Sequence, residues 1–370
     1  MKPTATLGSS TERSAALFGA VQLGFVCCAL TLAAVFSVPG IAIADEGGVS
    51  FWLPGIYGSL AATPLQPGWT LATTNYFDVL SASGNLALSR EFELGKVPVG
   101  LSANINASLN SILDLQLVNP TYVFDTKVLG GQAAVGVMGI FGQNTTSLSG
   151  TLSGTLTLPG GGSIPFSRSD ALYDSTGGYG DLYPQFSLRW NSGVDNFMTY
   201  VTGDIPLGLY NSTSLANFGI GHGAIDAGGG YTYLDEKAGR EFSVTTGLTY
   251  NLINPATNYQ NGVDWHLDWG ASQFLSKQFF VGLVGYVYKE IGCDSGSGDR
   301  VGCFQSQVAA VGPQFGVIFP VGDHLQGYIN VKGYKEFAAE DRPSGYNAWI
   351  TLALSPAPKS TAATSSSQTK

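Results

Sequence analysis

The chain of 370 residues carries only 12% charged side chains, while 44% of its residues are apolar. This charge content is about half that of an ordinary soluble domain. The 50 glycines argue against a helical bundle or coiled coil, and the net charge of -9 argues against a nucleic-acid partner, because phosphate is repelled. The composition therefore favours a chain that is neither helical nor freely soluble.

The N-terminus has the pattern of an export signal. A basic start precedes an apolar stretch over 15–38, and Ala42-Ile43-Ala44 then places small residues at both positions that a signal peptidase recognises. We predict a signal peptide over 1–44, cleaved after Ala44. The alternative is an uncleaved membrane anchor, because the apolar stretch is long for a signal.

Residues 45–67 form a short stretch that mixes aromatic residues with proline and glycine. Among them are Phe51, Trp52, Leu53 and Tyr57. The stretch is too short and interrupted for a domain, yet long enough to enter a pore. We predict an N-terminal plug segment over 45–67 whose aromatic side chains line a hydrophobic binding site. The alternative is a loosely ordered leader in the periplasm.

Apolar and polar residues then alternate with period two, which is typical of strands. For example, Leu101, Ala103 and Ile105 alternate with Ser102 and Asn104. After the signal no apolar run is long enough for a membrane helix, and the strands exceed the 5–6 residues or so of a soluble sandwich. We therefore predict an all-β fold, a transmembrane antiparallel β-barrel of about 14 strands within a range of 12–16, over 68–354. The predicted strands span 68–79, 84–94, 99–109, 113–124, 127–141, 180–190, 194–207, 224–234, 240–251, 262–275, 279–291, 304–319, 325–336 and 346–354.

The predicted connections alternate between tight links and longer loops, as in outer-membrane barrels. Asp125-Thr126 and 276–278 are tight links, whereas 142–179 and 337–345 are long external loops. This alternation places both termini in the periplasm. The Ser/Thr/Ala-rich residues 355–370 predict a disordered tail.

Aromatic residues near the ends of the predicted strands favour interfacial girdles that face lipid. These residues are Trp69, Tyr76, Trp190, Tyr200, Phe279, Tyr286, Tyr334 and Trp349.

Strand parity places Asp264, His266 and Asp268 together on the face that points into the barrel. We interpret them as part of a lumenal hydrogen-bond network with Arg189 and Lys332, because barrel interiors are polar. The alternatives are a substrate-binding site or a catalytic dyad of an outer-membrane hydrolase. A metal site is not expected, because the three histidines of the chain show no ligand spacing.

Cys293 and Cys303 bracket a short external loop. Two cysteines this close in an oxidising export compartment predict a disulfide.

Motifs scattered in order along the chain resemble one known family. They are Ser50-Phe-Trp-Leu-Pro-Gly-Ile-Tyr-Gly-Ser-Leu, Gly180-Asp-Leu-Tyr-Pro-Gln, Asn196-Phe-Met-Thr-Tyr-Val-Thr-Gly-Asp-Ile-Pro, Tyr259-Gln-Asn-Gly, His266-Leu-Asp-Trp-Gly-Ala-Ser-Gln-Phe and Gly312-Pro-Gln-Phe-Gly. Over 48–356 the chain resembles the outer-membrane family named for the meta-pathway of phenol degradation, which is distantly related to the long-chain fatty-acid transporters. The resemblance implies a barrel that admits hydrophobic substrates past an N-terminal hatch.

The sequence thus predicts an outer-membrane channel for passive uptake of hydrophobic small molecules, aromatic ones included, with no cofactor and no reaction. Its expected partners are outer-membrane lipid, the ligand and the barrel-assembly machinery. The alternatives are the hydrolase and a non-transporting structural barrel. The predicted substrate-binding residues are Phe51, Trp52, Leu53, Tyr57, Arg189, Asp264, His266, Asp268 and Lys332.

Overall fold

The computed structural model describes residues 50–83, 101–157, 163–299, 302–303 and 305–358. The predicted signal peptide, the predicted strand 84–94 and residues 359–370 of the predicted tail lie outside the described residues. Among the residues described, no helix is long and apolar enough to cross a membrane.

The described chain forms a closed barrel in which every strand pairs antiparallel with its neighbours in sequence, and the first strand pairs with the last. The all-β closed antiparallel barrel is therefore confirmed. Twelve strands are described: β1 (Gly68–Ser83), β2 (Leu101–Val128), β3 (Gly131–Thr157), β4 (Ser163–Ser192), β5 (Asp195–Asp204), β6 (Ala224–Asp235), β7 (Arg240–Asn251), β8 (Asp264–Phe274), β9 (Phe279–Glu290), β10 (Gln307–Val321), β11 (Leu325–Glu340) and β12 (Ser344–Pro356).

Twelve strands are described rather than fourteen because the predicted strands 99–109 and 113–124 form the single strand β2, and the predicted strand 84–94 lies outside the described residues. The predicted tight link Asp125-Thr126 also lies within β2. The chain turns instead at Leu129 and Gly130, whose φ angles of 50° and 76° form a left-handed pair. A two-residue hairpin turn of type I′ needs positive φ at both central residues. Leucine rarely adopts this conformation, so the sequence does not predict the turn at Leu129.

The predicted external loop 142–179 is the second difference, because most of it lies within β3 and β4. Serine and threonine hydroxyls bridge neighbouring strands here: Ser108 to Ser149 at 2.9 Å and Thr151 to Ser169 at 2.8 Å. Both faces of this part of the sheet are polar, so its sequence lacks the apolar alternation from which the other strands were predicted.

The connections after the even-numbered strands β2, β4, β6, β8 and β10 are tight, and those after β5, β7 and β9 are long. The connection after β11 is an exception to the predicted pattern. The predicted loop 337–345 is a three-residue link, because β11 continues to Glu340 and β12 begins at Ser344.

Apolar side chains cover the outer face, as alternation predicts; Phe242, Leu248 and Tyr250 of β7 are examples of exposed ones. The predicted aromatic girdle is wrong for five of its eight residues. They point into the barrel and are buried: Tyr76, Tyr200, Tyr286, Tyr334 and Trp349. Parity explains the error: Tyr76 lies two residues from Asp78, shares its face, and donates a hydrogen bond to it at 2.7 Å.

The disulfide prediction is confirmed. Cys293 and Cys303 are bonded within the connection between β9 and β10.

Candidate functional site inside the barrel

Residues 50–67, which directly precede β1, lie inside the barrel. In this N-terminal segment, defined as residues 50–67, Phe51, Trp52 and Leu53 are buried among the inward-facing side chains of the strands. The segment is not part of any sheet, so its buried N–H and C=O groups need other hydrogen-bond partners. Side chains of the barrel wall supply them.

One turn of the segment is held from both sides by charged groups. Asp268 of β8 accepts hydrogen bonds from the amides of Gly55 (2.9 Å) and Tyr57 (3.2 Å). Lys332 of β11 donates to the carbonyls of the same two residues, at 2.5 Å and 3.2 Å. Gly55 has a φ of 91°, and a Cβ there would lie 3.1 Å from Tyr286 and Tyr334, so glycine is required at this turn.

Further hydrogen bonds attach the rest of the segment to the same side of the barrel. The amide of Leu60 donates to Glu241 at 2.9 Å, and the amide of Ala62 donates to the hydroxyl of Thr232 at 3.0 Å. Ser59 shares a hydrogen bond with Ser272 at 2.8 Å and accepts one from Gln314 at 2.6 Å. The anchoring wall is the name used below for these inward residues of β6–β11: Thr232, Glu241, Asp268, Ser272, Gln314 and Lys332.

His266 contacts the segment through its ring. The imidazole stacks on the indole of Trp52 with ring centroids 3.5 Å apart and planes inclined by 14°. Its Nε2 lies 2.8 Å from Oδ2 of Asp226 on β6, and its Nδ1 makes no hydrogen bond. The carboxylate that approaches His266 therefore belongs to another strand, not to the predicted constellation on β8.

On the opposite side, the segment and strands β1–β5 leave a cavity of about 190 Å³ between them. The cavity wall is the name used below for the β1–β5 side chains that line it. Its aromatic and cationic members are Tyr183, Phe186, Tyr200 and Arg189, and the segment contributes Phe51, Trp52, Leu53, Ile56, Tyr57 and Leu65.

Two glycines make room for Tyr200 at the edge of this cavity. Gly228 and Gly247 are directly paired between β6 and β7, and a Cβ on either residue would clash with the Tyr200 hydroxyl. The Tyr200 ring in turn stacks on the Trp52 ring, with centroids 6.1 Å apart. The glycine pair thus lets an aromatic side chain from a neighbouring strand reach the segment.

Arg189 is the cationic group of the cavity wall. Its Nη1 donates to the hydroxyl of Ser187 at 2.5 Å, while its Nε is buried without a hydrogen-bond partner. Burial raises the pKa of the nearby Tyr57 hydroxyl to about 12, and the Arg189 charge acts in the opposite direction. Tyr57 is therefore neutral at physiological pH and does not balance the guanidinium.

The predicted site residues fall into three groups. Phe51, Trp52, Leu53, Tyr57 and Arg189 line the cavity. Asp268 and Lys332 belong to the anchoring wall, with His266 stacked on Trp52 beside them. Asp264 accepts a hydrogen bond from Asn251 at 2.8 Å and does not line the cavity.

Sequence reasoning missed Tyr183 and Tyr200 as cavity residues. Tyr200 was assigned to a lipid-facing girdle, although it lies two residues from Met198, which is buried on the same inward face. Tyr183 lies in the Gly180-Asp-Leu-Tyr-Pro-Gln motif and stacks on Phe51 with centroids 5.3 Å apart. The motif draws attention to Tyr183 in the sequence, but it does not show whether the side chain points into the barrel or out of it.

Residues 99–352 match the model of the family described as "Putative MetA-pathway of phenol degradation". The chain belongs to this family. The resemblance seen in the sequence is therefore confirmed, and it covers most of the barrel.

One solved structure agrees on the fold, and a second aligns with a lower TM-score. The COG4313 outer membrane channel from Pseudomonas putida F1 aligns with a TM-score of 0.53 at 12% identity, over 80% of this chain and 98% of that one. A FadL homologue from Pseudomonas aeruginosa aligns with a TM-score of 0.36 at 11% identity, over 86% and 98% of the two chains. No curated protein matches the chain by sequence.

Proposed function

We propose that the chain is an outer-membrane channel for passive uptake of hydrophobic small molecules, aromatic ones included. The N-terminal segment acts as its plug, and the cavity beside the segment is its ligand site. The observation that carries this proposal is the cavity itself, which lies inside a closed barrel and has aromatic walls on both sides.

The outer and inner faces of the barrel support the proposal in different ways. Exposed Phe242 and Leu248 on β7 belong to an apolar outer face suited to lipid. The inner face carries buried ionisable groups, such as Asp268 and Lys332, that hold the segment across the lumen. A small apolar molecule that enters the barrel meets the aromatic cavity as its most favourable environment.

The size of the cavity fits a ligand with one ring. An apolar cavity of about 150 Å³ is sufficient to bind benzene in a protein interior. The cavity of about 190 Å³ therefore accommodates an aromatic ring with a small substituent.

Deletion of residues 47–64 tests the plug. In proteoliposomes, the deletion variant should pass small solutes faster than the intact chain, because the anchored segment no longer occupies the lumen. A variant that lacks only residues 359–370 is the control and should behave like the intact chain. Equal flux through the intact and plug-deleted barrels would contradict the proposal.

A further inference from the structure

Arg189 is a cation without a counterion inside the barrel. None of the carboxylates in the described part of the chain forms an ion pair with its guanidinium, and its Nε is buried and unpartnered. Its one hydrogen bond goes to a neutral hydroxyl, that of Ser187. The side chain is half-buried, so its charge is only partly solvated, and an anion that enters the cavity would gain by pairing with this group.

Three lumenal carboxylates on β6–β8 have partners other than Arg189. Asp226 contacts His266 and accepts a hydrogen bond from Thr249 at 2.7 Å. Asp268 and Glu241 accept hydrogen bonds from the segment. No carboxylate among the described residues therefore neutralises the positive charge of the cavity wall.

The rest of the cavity is suited to a ring. Phe51 and Tyr183 stack on each other, and Trp52 and Tyr57 lie with centroids 5.9 Å apart. Arg189 and these aromatic residues line the same cavity of about 190 Å³. A ligand that satisfies both features has one apolar ring and one anionic group.

We propose that the cavity selects small monocarboxylates with a single ring, the carboxylate pairing with Arg189 and the ring packing against Phe51, Trp52 and Tyr183. This inference rests on the proposed function and names its substrate class. A planar guanidinium presents two parallel N–H donors that match a carboxylate, so the pairing is specific as well as electrostatic.

Calorimetric titration of the full barrel with benzoate and with benzyl alcohol tests the inference, because the two probes share a ring and differ in charge. Benzoate should bind at least tenfold more tightly to the wild type, a difference of about 1.4 kcal/mol. Arg189→Met should weaken benzoate binding at least tenfold and so abolish that preference, while Arg189→Lys should retain part of it. Arg240→Met, which removes an exposed arginine at the start of β7, is the matched control and should keep the full preference.

The outcomes separate the inference from the proposed function. If benzyl alcohol binds as well as benzoate, or if Arg189→Met retains the preference, the carboxylate inference is wrong while a hydrophobic ligand site stands. If neither probe binds and neither crosses proteoliposomes, both proposals are wrong. If Arg189→Met fails to fold, the salt dependence of binding to the wild type provides the test. Added salt should weaken benzoate binding and leave benzyl alcohol binding constant. Equal affinities for benzoate and benzyl alcohol at all salt concentrations would overturn the inference.

Discussion

The two sides of the lumen contact the N-terminal segment through different kinds of side chain. The anchoring wall on β6–β11 binds the segment through buried polar and charged side chains, with Asp268 and Lys332 on a single turn. The cavity wall on β1–β5 contacts it through aromatic rings and leaves about 190 Å³ unfilled. The difference shows how one short segment can be fixed in place and still leave room for a ligand.

Backbone chemistry explains why the two walls are not interchangeable. The segment has no strand partner, so its amides and carbonyls must be satisfied by side chains, and one wall supplies nearly all of them. On the β1–β5 side, Gln132 of β3 pairs with the backbone of Leu65 at 2.8 Å and 2.7 Å, close to the start of β1 and outside the cavity lining. The cavity wall itself is left to line a site.

Asp268→Ala should have the largest effect, because it leaves the amides of Gly55 and Tyr57 without their acceptor. A buried donor left without its acceptor costs about 1–3 kcal/mol, and two donors are affected here. In hydrogen–deuterium exchange, the amides of Gly55 and Tyr57 should exchange at least a hundredfold faster. Asp114→Ala is the control, since that exposed carboxylate accepts a hydrogen bond from Asn75 on the outside of the barrel. Unchanged exchange in Asp268→Ala would show that the anchoring wall does not hold the segment.

Gln132→Ala should have a smaller and more local effect. It removes two neutral hydrogen bonds, each of which contributes about 0.5–1.5 kcal/mol. Exchange of the Leu65 amide should rise about tenfold, at roughly 1.4 kcal/mol per factor of ten, while exchange at Gly55 and Tyr57 stays constant. Gln143→Ala, whose side chain donates to Ser175 on the outer surface, serves as the matched control. Faster exchange at Gly55 would mean that the two walls hold the segment cooperatively.

Thr151→Ala should have the smallest effect, because its hydrogen bond to Ser169 is exposed. Surface substitutions of this kind change stability by less than about 0.5 kcal/mol. Thermal unfolding and benzyl alcohol binding should both match the wild type within error. A large loss of binding would show that the extended parts of β3 and β4 are coupled to the lumen.

Alternation was sufficient to predict the barrel, because the outer face of most strands is apolar and the inner face is not. Asp264, His266 and Asp268 were correctly placed inside for this reason. The same rule failed for residues 142–179. Serine and threonine occupy both faces of the sheet there, so the sequence pattern does not distinguish one face from the other. The rule also failed at Leu129, where tertiary pairing of β2 with β3 imposes the turn.

The candidate site was less accessible to sequence reasoning. Aromatic content suggested that Trp52 and Tyr57 enter the lumen, but not which wall they face. The division into an anchoring wall and a cavity wall depends on contacts between residues far apart in sequence, such as Gly55 with Asp268 and Phe51 with Tyr183. No local pattern encodes these pairings.

Locating a bound ligand tests the central claim, that ligand binds between the segment and the cavity wall. Crystals grown with 4-bromobenzyl alcohol would reveal the bromine by anomalous diffraction, and this neutral probe does not depend on the role of Arg189. The account predicts a bromine peak in the cavity beside Trp52, Tyr183 and Tyr200, with the segment still attached to Asp268 and Lys332. A peak between the segment and the anchoring wall, or a lumen without bromine at saturating ligand, would contradict it.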